Sequence, residues 1–122
     1  ITDIGLRTLS LALEHLVSLE VLCLNLSEFG ETFRINNECL GKALRQLINL
    51  KHLKLNLSRI DKIDDTDIRC LTESLQPNLV GLFLELSDCD KITDESIGYL
   101  IQGTQQIRSL KSFYIDLNNC YK

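Results

Sequence analysis

The chain has no methionine, no run of basic residues, no glycine-rich phosphate loop and no apolar stretch near the roughly 20 residues that cross a bilayer. Each absence removes a class. With a net charge of −4 and a pI near 5.1, a nonspecific grip on nucleic acid is not expected, because that grip needs Lys and Arg to displace counterions along the phosphates. An anionic membrane surface is disfavoured for the same reason. The N-terminus lacks the charged, apolar, then small-residue order of a secretory signal. The missing methionine, and a start at Ile1 inside a repeating pattern, make the chain read as a piece of a longer protein in which targeting signals would lie elsewhere.

What is present suits one ordered domain spanning 1–122, with 44% apolar and 25% charged residues. The dominant pattern is Leu19-x-x-Leu22-x-Leu24-x-Leu26, repeated from Leu50 to Leu57, from Leu79 to Leu86, and as Leu110-x-x-Phe113-x-Ile115-x-Leu117. The starting residues lie 31, 29 and 31 positions apart, a regularity expected of stacked repeats and not of an ordinary core. Within each segment apolar and other residues alternate, which is the period of a strand with one buried face. Between the segments run helical stripes: Leu6, Leu9, Leu13 and Leu16; Leu40, Leu44 and Leu47; Ile68, Leu71 and Leu75; Ile97, Leu100 and Ile107.

Polar pairs precede these stripes at Thr2-Asp3, Asn36-Asn37, Asp64-Asp65 and Thr93-Asp94, and are read as helix caps that accept bonds from first-turn N–H groups. The acidic group Asp61, Asp64, Asp65 and Asp67 is read the same way, since its spacing lacks the central Gly and terminal Glu of an EF-hand loop. One helix between consecutive strands makes the strands parallel, with right-handed crossovers. Alternation, in place of continuous apolar runs, implies helices on one face only. Because helices are wider than the ~4.8 Å strand spacing, the assembly should curve with its strands inside.

Five cysteines raise the question of disulfides. The eleventh position of each repeat is Phe29, Ile60, Cys89 and Cys120, so two of the cysteines occupy a slot used elsewhere by large apolar residues and are read as core. Two glycosylation sequons, at Asn25 and Asn56, fall inside predicted strands, where a glycan would obstruct the sheet. Both features favour a reducing, intracellular location.

These residues resemble the leucine-rich repeat family. The helical connection and the repeat length are similar to its ribonuclease-inhibitor-like class, while Ile1-Thr2-Asp3 and Ile92-Thr93-Asp94-Glu95-Ser96-Ile97 resemble the cysteine-containing class of F-box adaptors. Ser27, Ser58, Ser87 and Asn118 stand where that family usually has Asn or Cys, and the extra Leu resembles the long arrays of ciliate proteins. The resemblance implies an α/β leucine-rich repeat solenoid: a right-handed horseshoe with its parallel sheet on the concave face and helices on the convex face. It also implies a non-catalytic scaffold that binds a protein, with a permanent structural subunit, cytoskeletal or ciliary, and an F-box-type substrate adaptor as alternatives. No cofactor, metal, nucleic acid or membrane is expected, and the location is cytoplasmic.

On the open face the alternate positions form three rows: Val21, His52, Gly81, Ser112; Cys23, Lys54, Phe83, Tyr114; and Asn25, Asn56, Glu85, Asp116. Phe83 and Tyr114 are expected to be the apolar centre of a partner site, with Lys54, Glu85 and Asp116 setting orientation. His52, Asn25 and Asn56 complete the candidate set, and the two asparagines are expected to exchange amide hydrogen bonds as a ladder. Cys23 and His52 superficially suggest a thiol protease, yet nothing supplies an oxyanion hole and two ligands are too few for zinc. The fourth helix should be the poorest, because Gly103 and Thr104 replace apolar residues. Further repeats, or another subunit, are expected to cover the exposed fourth strand.

Overall fold

A computed structural model describes residues 3–27 and 40–120 of the chain, leaving aside the side chain of residue 3. Helices and strands alternate: α1 (Asp3–Leu13), β1 (Val21–Asn25), α2 (Leu40–Gln46), β2 (His52–Asn56), α3 (Asp65–Glu73), β3 (Gly81–Glu85), α4 (Asp94–Gln105) and β4 (Ser112–Asp116). The four strands form one sheet in chain order, and every neighbouring pair is parallel. The expected α/β class and parallel sheet are therefore present.

Register lines the repeats up residue for residue. Leu22, Leu53, Leu82 and Phe113 form one row, and Leu24, Leu55, Leu84 and Ile115 another. Except for the exposed Phe113, these rows enter or pack against one core with Leu40, Ala43, Leu44 and Leu47 of the second layer, Ile68 and Leu71 of the third, and Leu100 and Ile107 of the fourth. Helices thus cover the leucine side of the sheet, while the intervening residues Lys54, Phe83 and Tyr114 are exposed on the other. Two expected stripe residues stay out of the core: Leu16 follows the end of α1, and Ile97 lies on the outer side of the last helix.

Helix starts follow the expected caps. Asp64 and Asp67 form a reciprocal capping box on α3, the Asp67 N–H donating to Asp64 Oδ1 at 3.2 Å and the Asp64 N–H to Asp67 Oδ2 at 3.0 Å. Thr93 caps α4 by accepting from the Glu95 N–H at 3.2 Å. The candidate caps Thr2, Asn36 and Asn37 lie outside the described residues, as does Phe29.

Asp65 does something the spacing did not suggest. Its carboxylate accepts bonds from the Thr93 N–H at 2.8 Å, from the Thr93 hydroxyl and from the Ser96 hydroxyl, so it ties the start of α3 to the start of α4. Burial alone would raise its pKa, but the bonds from Ser96 and Thr93 together outweigh that effect and hold it below the usual value.

Gly103, expected to weaken α4, has a packing role in that helix. That helix is the longest described, at 12 residues, and a Cβ on Gly103 would stand 2.9 Å from Thr72 Cβ on α3. The glycine therefore lets the two helices approach closely, and its lower helix propensity of about 1 kcal/mol against Ala is offset by that packing. At the strand-to-helix turns, Arg59, Asp88 and Asn119 all have φ near +60° (61, 59 and 61). Asn and Asp tolerate this left-handed conformation better than other side chains, so Arg59 is the strained member of the row.

Candidate functional site: the open face of the sheet

The three rows expected from the repeat are the rows observed, since Val21, Cys23 and Asn25 pair in turn with His52, Lys54 and Asn56, and so on across the sheet. Parallel strands at ~4.8 Å spacing bring row neighbours into side-chain contact. Phe83 and Tyr114 stack with ring centroids 5.4 Å apart and planes inclined by 27°. They remain 41% and 47% exposed, so each ring covers part of the other and leaves a continuous apolar surface facing outward.

Charge is arranged around that pair. Lys54 Nζ lies 3.9 Å from Glu85 Oε1, a diagonal contact from β2 to the end of β3 that crosses beside Phe83. The third row is organised by side-chain length. Asn25 Oδ1 accepts from the Ser27 N–H at 3.0 Å and hydroxyl at 2.7 Å, Asn56 Oδ1 from the Ser58 N–H at 3.0 Å, and Asp116 Oδ1 from the Asn118 N–H at 2.9 Å. Each closes a turn two residues ahead, which short Asx side chains do well. Glu85, one methylene longer, reaches Lys54 instead. The expected ladder between Asn25 and Asn56 is thus not formed, because the local turn competes for the same oxygens.

His52 is explained by its neighbour. A Cβ on Gly81 would stand 2.8 Å from His52 Nδ1, so the imidazole lies across the glycine toward β3, and Gly81 is buried beneath it. Cys23 pairs in register with Lys54 and is exposed. The diagonal Cys23–His52 relation exists, but the ring leans away from the thiol. Among the described residues no cluster of three or more His, Cys, Asp or Glu side chains is placed to hold a metal ion.

Beyond the strand ends a polar rim continues the rows. The Ser87 hydroxyl donates to the Ser58 hydroxyl at 3.0 Å, Arg59 Nε lies 3.6 Å from Asp88 Oδ2, and Asn119 Nδ2 donates to Asp88 Oδ1 at 2.9 Å. The signal of this rim in the sequence is the polar or charged residue at a fixed offset after each strand, Arg59, Asp88 and Asn119. Beneath the rim, Cys89 and Cys120 take the core slot expected of them, and their thiols donate to the carbonyls of Leu57 and Leu86 in the preceding layer at 3.3 and 3.1 Å. Burial pushes both thiols above their ordinary pKa.

An open groove of about 580 Å³ lies on the helical side between α3 and α4, lined by Arg69, Thr72, Glu73, Tyr99 and Gly103 among others. Its cation is committed, with Arg69 Nε 3.1 Å from Glu73 Oε1 and the guanidinium 5.9 Å from the Tyr99 ring centroid. Among the described residues, the stacked and exposed aromatic pair lies instead on the sheet. No described helix is long and apolar enough to cross a membrane. Compared with known proteins, the chain matches no family model, no curated protein and no solved structure.

Proposed function

We propose that the chain is a leucine-rich repeat solenoid acting as a non-catalytic scaffold that holds a protein partner against its open sheet. In this reading the sheet is the concave wall of a horseshoe and the helices its convex side. The observation that carries it is the stacked Phe83–Tyr114 pair, exposed on the face that no described helix covers. A rigid aromatic surface flanked by charges is the usual anchor of an interface, and Lys54, Glu85 and Asp116 supply those charges here. The carboxylates of Glu85 and Asp116, with Asp88 beyond them, favour a basic segment of the partner. His52, Asn25 and Asn56 extend the same wall toward β1. Replacing Phe83 and Tyr114 together by Ala should weaken capture of the native partner by roughly thirtyfold, corresponding to the loss of one interface hot spot of about 2 kcal/mol. Undiminished capture in a pull-down removes the proposal.

The second reading is a permanent structural subunit of a large assembly, of cytoskeletal or ciliary kind. It is favoured by the apolar side chains Ile97, Ile101 and Phe113, each more than 40% exposed along the last layer. Both readings place the chain in the cytoplasm, supported by the free thiols of Cys23, Cys70, Cys89 and Cys120. Cross-linking mass spectrometry on the native complex separates them: an adaptor leaves the aromatic row uncovered before its partner binds, whereas a structural subunit has both sheet edges covered.

A further inference from the structure

On its helical side the chain already holds a guanidinium between two kinds of group. Arg69 stands 5.9 Å from the Tyr99 ring centroid, and its Nε lies 3.1 Å from Glu73 Oε1. The physics is general: a planar cation is drawn to an aromatic ring while its N–H groups, spread in a fixed fork, reach a carboxylate. The same two components recur on the open sheet. Phe83 and Tyr114 stack in one row, and Glu85 and Asp116 pair in register in the next, one same-face step of about 7 Å along the same strands.

On the sheet the place of the guanidinium is open. Among the described residues no cation lies over either ring, and Lys54, in register with Phe83, sends its ammonium to Glu85 at 3.9 Å instead. Asp116 engages Oδ1 with the Asn118 N–H, and among the described residues its Oδ2 accepts no hydrogen bond. That carboxylate is half-buried, so it has already lost part of its hydration and gains from a charged donor. The location is the face of the sheet; strands pairing at an edge extend a sheet in its own plane and leave the face as it is.

Resting on the reading of this face as a partner surface, we propose that it recognises an arginine side chain of the partner, whose guanidinium packs on the Tyr114 end of the aromatic pair and donates to Asp116 Oδ2. Lysine fits less well. An ammonium is compact and strongly hydrated and meets either a ring or a carboxylate, whereas a guanidinium is broad enough to meet both. Lys54 sets the side of approach, because it occupies Glu85 and repels a second cation near β2. The incoming charge is thereby directed toward β4, two strands or about 10 Å away, beyond the screening length of about 8 Å at physiological salt.

NMR titration of the isotope-labelled chain with short Gly/Ser peptides carrying one central Arg or one central Lys tests the proposal. The arginine peptide should bind about tenfold more tightly than the lysine peptide, with shifts concentrated in residues 83–85 and 114–116. Asp116→Asn should weaken the arginine peptide by about tenfold with the fold retained, since an Asn Oδ1 keeps the turn that Asn25 and Asn56 make in the same row. Lys54→Gln should tighten it severalfold by releasing Glu85. Equal affinity for the two peptides, shifts elsewhere, or arginine binding indifferent to Asp116→Asn overturns the proposal. Capture of the native partner keeps the two readings apart. A loss with Phe83→Ala and Tyr114→Ala but none with Asp116→Asn leaves the face a partner surface and removes arginine as what it reads; capture insensitive to all three substitutions removes both.

Discussion

The second and third layers and the first and fourth layers are written in one sequence pattern and have different physical fates. Leu55 and Leu84, in the inner strands, are 0% exposed, whereas their row partners Leu24 and Ile115, in the outer strands, are only half-buried. Nothing in the local sequence separates them. A leucine on an inner strand is covered by its own helix and by a layer on each side, and one on an outer strand has, among the described residues, a layer on one side only. Stability in such an array is therefore a property of adjacency more than of composition.

The strongest way to break this comparison is to delete the same kind of side chain in both places. Leu84→Ala should cost about 3–5 kcal/mol, the range for a fully enclosed leucine that leaves a cavity, and Ile115→Ala about 1 kcal/mol, since the outer site can relax and was partly wet. Urea unfolding of the two variants checks this, and equal costs would show that the layers do not support one another as described. A smaller effect is expected at the joint between the third and fourth layers. Asp65→Asn removes the charge accepting bonds from Thr93 and Ser96 and should cost about 1–2 kcal/mol. Because the folded pKa of Asp65 is lowered, its contribution is present above the unfolded value and is lost as pH falls through the folded one. The difference in Tm between wild type and Asp65→Asn should therefore shrink below about pH 4, and a difference that grows on acidification would refute the assigned role.

The smallest effect has a sign that discriminates. Gly103→Ala would stabilise an isolated helix by about 1 kcal/mol, but here the new methyl meets Thr72 Cβ, and the net result should be destabilisation by about 1 kcal/mol. A raised Tm would mean that α3 and α4 have room to separate. Thr72→Ala combined with Gly103→Ala should recover part of the loss, as expected for two residues in direct contact.

Much of the site was legible in the sequence because parallel pairing with a near-constant repeat converts spacing directly into register. Once Leu53 and Leu82 are neighbours, Lys54 and Phe83 must be neighbours too, and the row ending at Tyr114 follows. Local competition was less legible. Asn25 and Asn56 are placed side by side as expected, yet each oxygen turns to its own backbone, because a ring closed within three residues needs no alignment of a second strand. The roles of Gly81 and Gly103 were also hidden, since a glycine reveals its purpose only through the group that lies against it, His52 in one case and Thr72 in the other.

Sequence alone determined the number of layers, the side of each strand that turns inward, the caps at Asp64 and Thr93 and the composition of the exposed rows, because all of these depend on periods of two and three to four residues along one segment. Tertiary structure decided which leucines are dry, where Asp65 directs its carboxylate, and that Phe83 and Tyr114 stack while Glu85 turns to Lys54. Those outcomes depend on contacts between residues about 30 positions apart, where packing and hydrogen bonding choose among arrangements that the local pattern permits equally.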